Sequence, residues 1–292
     1  MTAGGASEPR SPDAAADAAA APLRRRQTTR MLQAMTACYA VGWMLVRQTT
    51  DQMWLVLTEG DTARTAILRG RLDSASQLAA FVAVPIIASC SDAFGRKVVS
   101  MIGSWLLLVV NGLVLLAPPG AVGAAFLASR EVLLPIAMNL VNIPRLAALG
   151  DMYSSDAVAL SEVTAFDSSI FPMTKIFVPI IGGVLAARMG LRWPFYCSTA
   201  FMAMQALLSL KMCETLPKES RKPLNWRHTS PFGFLALFVR GRTMATLAGM
   251  AMLSALNETG GQPTAAENIA NLHKARILGW GVPERARWAT SD

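Results

Sequence analysis

The chain has 292 residues, 53% of them hydrophobic, a mean hydropathy of +0.37 and a net charge of +8. Its 16% share of charged residues falls well short of the ~25% usual in soluble domains, and its apolar residues come in blocks rather than stripes. This excludes an ordinary water-soluble globule. Because the basic residues gather at the edges of apolar blocks, with no aromatic-interleaved stripe, it also argues against a nucleic-acid partner.

Residues 1–30 are polar and Ala/Pro-rich and end on Arg24-Arg25-Arg26 and Arg30. Glu8, Asp13 and Asp17, with no apolar run, do not suit a secretory signal. A disordered cytosolic tail is expected. Six membrane spans follow, over about Met31–Val46 or somewhat beyond, Ser76–Cys90, Val98–Ala117, Val122–Leu149, Phe166–Ala187 and Trp193–Leu210. Each is near the ~20 residues a helix needs to cross the hydrocarbon core. Arg47 and Asp51 interrupt the first before Met53-Trp54-Leu55-Val56-Leu57 resumes. Arg64, Arg69 and Arg71, balanced by Glu59, Asp61 and Asp73, read as an outer loop, and Pro118-Pro119-Gly120 as a tight turn.

Residues 213–243 read as a basic cytoplasmic loop, in which Pro231–Phe238 looks amphipathic and suited to the membrane surface. Residues 244–256 are a partial seventh helix and 257–292 a polar, disordered tail. The expected fold is therefore all-α, a polytopic transmembrane helix bundle over residues 31–212. The distribution of Lys and Arg places the N-terminus in the cytoplasm.

The sharpest local pattern is Asp92-Ala93-Phe94-Gly95-Arg96-Lys97, between the second and third spans. A short link between antiparallel membrane helices needs a flexible residue, which Gly95 supplies, and Arg96 and Lys97 suit the cytoplasmic headgroup level. In the fourth span Asn139 and Asn142 share one helical face. With Asn111, Gln205 and Lys175 they are candidates for lining a polar cavity. Interhelical hydrogen bonding is the alternative for the amides. Pro179, Gly182 and Gly183 suit close, bent helix packing.

Cys38, Cys90, Cys197 and Cys213 form no CxxC pair, and His228 and His273 lie far apart. No metal site or cofactor is indicated. No nucleophile sits with a base, so no catalytic residues are assigned and an enzyme is not expected.

The loop at Asp92–Lys97 resembles the signature of the major facilitator superfamily, Gly-x-x-x-Asp-Arg-x-Gly-Arg-Arg/Lys between helices two and three. Asp92, Gly95, Arg96 and Lys97 match, while Ala88 and Ala93 depart from the pattern. Arg130 matches an arginine that many members carry in helix four, linked in proton-coupled members to proton transfer. Snorkelling to the interface beside Glu131 is the equal alternative. Pro179-Ile180-Ile181-Gly182-Gly183 matches part of an antiporter element, and Glu214-Thr215-Leu216-Pro217 is similar to the start of the family's central loop.

The resemblance implies that Asp151 partners Arg96 at a cytoplasmic gate. It covers residues 31–250, one six-helix half, whereas the family binds solute between two halves. The implied function is alternating-access transport of a small solute within a lipid bilayer. It would need a partner half or a homodimer. The alternative is a truncated membrane protein that transports nothing.

Overall fold

The computed structural model describes residues 12–117 and 120–224, with positions 230, 232, 241, 243–247 and 249–250 beyond them. The described residues form six long helices: α1 (Pro12–Leu57), α2 (Thr62–Phe94), α3 (Arg96–Leu116), α4 (Ala121–Tyr153), α5 (Ala157–Met189) and α6 (Trp193–Leu210). Among them there is no strand. A helix satisfies its own peptide groups without water, the condition an apolar segment must meet in lipid. Local signals set the ends. The Asp61 carboxylate accepts from the N–H groups of Ala63 and Arg64, both at 3.0 Å, to start α2. Asp156 does the same for Ala159 at the start of α5, at 3.0 Å.

Helices α2, α3, α4 and α5 are long and apolar enough to cross a membrane. α1 and α6 fall outside that set. α1 carries Asp51 and α6 carries Ser198, Gln205 and Ser209, all buried against neighbouring helices rather than facing outward.

Two expectations need correction. The N-terminal stretch is helical from Pro12 rather than disordered from 1 to 30; residues 1–11 lie outside the described residues. Its Ala-rich sequence favours helix, and its far turns are anchored. The Arg25 guanidinium stacks 3.6 Å over the Tyr153 ring, and the Thr29 and Tyr153 hydroxyls lie 3.0 Å apart. The supposed loop containing Arg69 and Asp73 is likewise helical, because α2 starts at Thr62. α1 also continues through Arg47 and Asp51. There Thr49 and Thr50 fold their hydroxyls back onto the Val46 carbonyl, each at 2.9 Å.

Short turns make successive helices run in opposite directions. One end of the bundle carries Gly95, the α4–α5 turn and Glu214; the other carries Gly120 and the α1–α2 and α5–α6 turns. Two groups of three helices result. α1 packs against α5 and α6, and α4 packs against α2 and α3. α3 and α6 join the groups closely, while α4 touches α1 and α5 only sparingly.

The core is stacked in three clusters. Leu32, Met35, Ala148, Leu149, Tyr153 and Met212 lie toward the Gly95 end. Tyr39, Trp43, Leu107, Met138, Val178 and Met202 lie at the centre. Val46, Trp54, Val114, Leu127 and Phe195 lie toward the Gly120 end. Exposed apolar side chains such as Leu78, Phe166, Phe177 and Leu207 cover the outside, as lipid contact requires.

At Gly182, α5 lies directly on α1. A Cβ there would overlap the Leu45 carbonyl oxygen and sit 3.2 Å from its carbon. Pro179 and Gly183 are buried on the same helix. Beyond α6, Phe232 sets its ring edge against Phe81 of α2, with centroids 5.8 Å apart; the rest of the expected surface stretch Pro231–Phe238 lies outside the described residues. Of the expected seventh helix, residues 244–247 and 249–250 are helical, and 251–292 lie outside the described residues.

Candidate functional site

Three charged clusters sit on this scaffold. The first is at the Gly95 end. Arg96 reaches Asp92 (Nη1–Oδ1 2.5 Å), Ser91 (3.0 Å) and Asp151 (Nε–Oδ2 3.3 Å). Asp92 and Arg96 lie one helical turn apart in sequence, and Asp151 comes from the last turn of α4.

Glu214, beyond α6, caps this end of α3. Its carboxylate accepts from the N–H groups of Arg96 (3.0 Å) and Lys97 (3.3 Å), and from Thr215 and Leu216 (3.1 Å each). Arg221 stands 3.6 Å from the same carboxylate. Gly95 makes this possible. Its φ is 104°, and a Cβ would overlap the carboxylate, 2.9 Å from its carbon. Glu214→Ala is therefore expected to lower bundle stability by about 1–2 kcal/mol, read as a lower unfolding midpoint in detergent. Gly95→Ala should do at least as much, and part of its cost should vanish in the Gly95→Ala/Glu214→Ala double variant.

The second cluster lies in the half toward Gly120. Arg130, 3% exposed, donates from Nε to Asn111 Oδ1 (3.1 Å) and from Nη1 to Glu131 Oε1 (2.8 Å). Its guanidinium lies 5.6 Å from the centre of the Phe195 ring. Arg130 is thus held in the interior rather than snorkelling outward. Glu131 extends the network, since its other oxygen is 3.9 Å from Arg69. Arg69 in turn binds Asp51 at 2.5 Å, with both residues buried. The network spans α1, α2, α3 and α4 and borders a cavity of about 40 Å³ lined by Trp43, Arg47, Thr50, Ser76 and Pro135 among others. That is room for a few waters at about 10–15 Å³ each. A larger cavity of about 440 Å³ lies at the Gly120 end, apolar apart from Glu59 and Arg192.

The third cluster was not anticipated. Arg145 of α4 binds Asp167 of α5 and donates to Thr36 of α1 at 2.8 Å. Thr36 donates to the other Asp167 oxygen at 3.2 Å. The signal was present in the sequence: two opposite charges inside consecutive expected spans, which at membrane depth call for a partner.

The polar residues expected to line one cavity do not meet. Asn111 binds Arg130, Asn139 donates to the Pro135 carbonyl at 3.0 Å, and Asn142 accepts from Arg145 at 3.4 Å. Gln205 lies between α6 and α3, 3.5 Å from the Ser104 hydroxyl. Lys175 is exposed on α5. Among the described residues no group of His, Cys, Asp and Glu is arranged to hold a metal ion.

Residues 60–281 match the sequence profile of the Major Facilitator Superfamily. The chain belongs to this superfamily. The Arg96 and Arg130 clusters fall within the matched range apart from Asp51. The all-helical bundle agrees with solved superfamily folds. The human organic anion transporter MFSD10 superposes with a TM-score of 0.68 at 14% identity, over 91% of this chain and 69% of that one. A peptide transporter in complex with sulfate gives 0.53 at 13% identity, over 84% of this chain and 49% of that one. These likenesses show the fold. The chain spans a little over two thirds of the first protein and about half of the second. No curated protein matches the sequence.

Proposed function

We propose that the chain is one half of a secondary transporter that moves a small solute across a bilayer by alternating access, coupled to protons. The reading is supported above all by the buried Asp51–Arg69–Glu131–Arg130 network. Charges at this depth are costly and are retained where solutes or ions pass. Glu131 ties the network together, its two oxygens shared between Arg130 and Arg69. The Asp92–Arg96–Asp151 cluster serves as the cytoplasmic gate latch, with the N-terminus cytoplasmic. Organic anions are the first solute class to test, because Arg47, Arg69 and Arg130 outnumber the carboxylates of Asp73 and Glu131 in the lining of the polar cavity.

The described helices form one wall of a central site; the facing wall is a second six-helix half, for which a second copy of the chain is the candidate to test. The test uses the purified chain in liposomes and the uptake of carboxyfluorescein under an imposed proton gradient. Uptake should exceed that of protein-free liposomes and fall at least about tenfold, ~1.4 kcal/mol, in Arg130→Gln. Uptake no faster than in empty liposomes would sink the anion reading. Uptake by a strictly monomeric preparation would sink the need for a second copy.

A further inference from the structure

The two groups of three helices meet along a seam that is well packed on one side only. On that side α3 lies against α6; on the other, α4 makes little contact with α1 and α5. At its Gly95 end the sparse side is held by the small Leu32–Met35–Ala148–Leu149–Tyr153 cluster, by Arg25 and Thr29 on Tyr153, and by buried charge. Toward Gly95, the Arg145–Asp167–Thr36 triad ties α4 to both α5 and α1. Its members are 6%, 5% and 4% exposed respectively.

Such a seam behaves differently from an apolar one. Interdigitated side chains resist separation over their whole area. An ion pair in a sparse contact gives way when one charge is removed, because the partner is left buried and uncompensated. Both helices also have a weak point nearby. Pro144 precedes Arg145 and cannot donate to the Leu140 carbonyl. Pro172, five residues after Asp167, cannot donate to that of Ser168. α4 and α5 can bend where the pair lets go.

We propose that the triad is a proton-operated clasp within the bundle. With Asp167 charged, it holds α4 to α1 and α5. With Asp167 carrying a proton from solvent, the two groups part at the Gly95 end and turn on the α3–α6 contact. The groups facing Asp167 are few. Arg145 comes from α4, and Thr36 comes from α1 with Tyr39 one turn further on; α6 carries no charged residue. The clasp is a property of the bundle and does not depend on solute movement.

The experiment measures distances between spin labels on the full chain in lipid nanodiscs. Cys38, Cys90, Cys197 and Cys213 are replaced by alanine. One label pair sits at Leu146 on α4 and Phe166 on α5, both exposed; a control pair sits at Trp105 on α3 and Leu207 on α6, also exposed. At neutral pH the first pair should give one short distance. Stepwise acidification should add a component several ångströms longer. Asp167→Asn should show the long component at neutral pH and no further change in acid. Asp167→Glu, which keeps the charge, should keep the acid response. The control pair should not move.

An Asp167→Asn seam that stays short overturns the proposal. So does a wild-type seam unmoved by acid, which decides the matter even if Asp167→Asn fails to fold. A control pair that lengthens equally means that the bundle swells rather than hinges, and it too overturns the proposal.

Discussion

Asp51→Ala is expected to cost the bundle about 3–5 kcal/mol, seen as a large drop in the unfolding midpoint in mixed detergent micelles. Arg69 is 4% exposed, its Nε has no hydrogen-bond partner, and its 2.5 Å partner is Asp51. Removing that carboxylate leaves the guanidinium facing Glu131 across 3.9 Å. The penalty comes from a stranded buried charge more than from a lost attraction. The double variant Asp51→Leu/Arg69→Met should therefore recover most of the loss, because it strands nothing. A single variant within about 1 kcal/mol of wild type, the range of exposed pairs, would show that water reaches Arg69.

Gly182→Val is expected to prevent assembly of the native bundle. The obstacle is the backbone of α1, since the Leu45 carbonyl occupies the space a Cβ needs. Backbone cannot rotate aside as a side chain can, so α5 would have to move away from α1 along its length. The cost is on the order of 3 kcal/mol or more, at or beyond the usual range for overpacked cores. Gly150→Ala is the contrasting case. Gly150 lies within α4, and no atom beyond the adjoining turns of its own helix comes within 4 Å of the point its methyl would occupy, so alanine should be neutral or stabilising by up to about 1 kcal/mol. Gel filtration and thermal unfolding of the two variants would separate the outcomes. Equal behaviour would mean that the α1–α5 contact is not tight.

What the sequence disclosed depended on how far apart the partners lie. Asp92, Gly95 and Arg96 sit within five consecutive positions, so their association with one turn could be read directly, and the family resemblance pointed to Asp151. Glu214 also stands out, but only within a stretch similar to the start of the family's central loop; its role as a cap for α3 depends on a fold that brings residues 118 apart together. Arg69 reads as a loop residue because charged residues depress local hydropathy even where the chain is helical. Arg145 and Asp167 were hidden by apolar neighbours within their spans. The asparagines and Gln205 were grouped by residue type, and a shared face on one helix does not determine which neighbour that face meets.

The exchange of helices between the two groups bears on how the chain is made. α1 rests on α5 and α6, the last of the six to be synthesised. A nascent chain paused after α3 holds its first helix, with Thr36 on it, before the α4 and α5 residues that shelter it exist. Insertion machinery or a chaperone must then shield α1 until α5 and α6 emerge, and a ribosome stalled between α3 and α5 leaves a product that quality control can recognise.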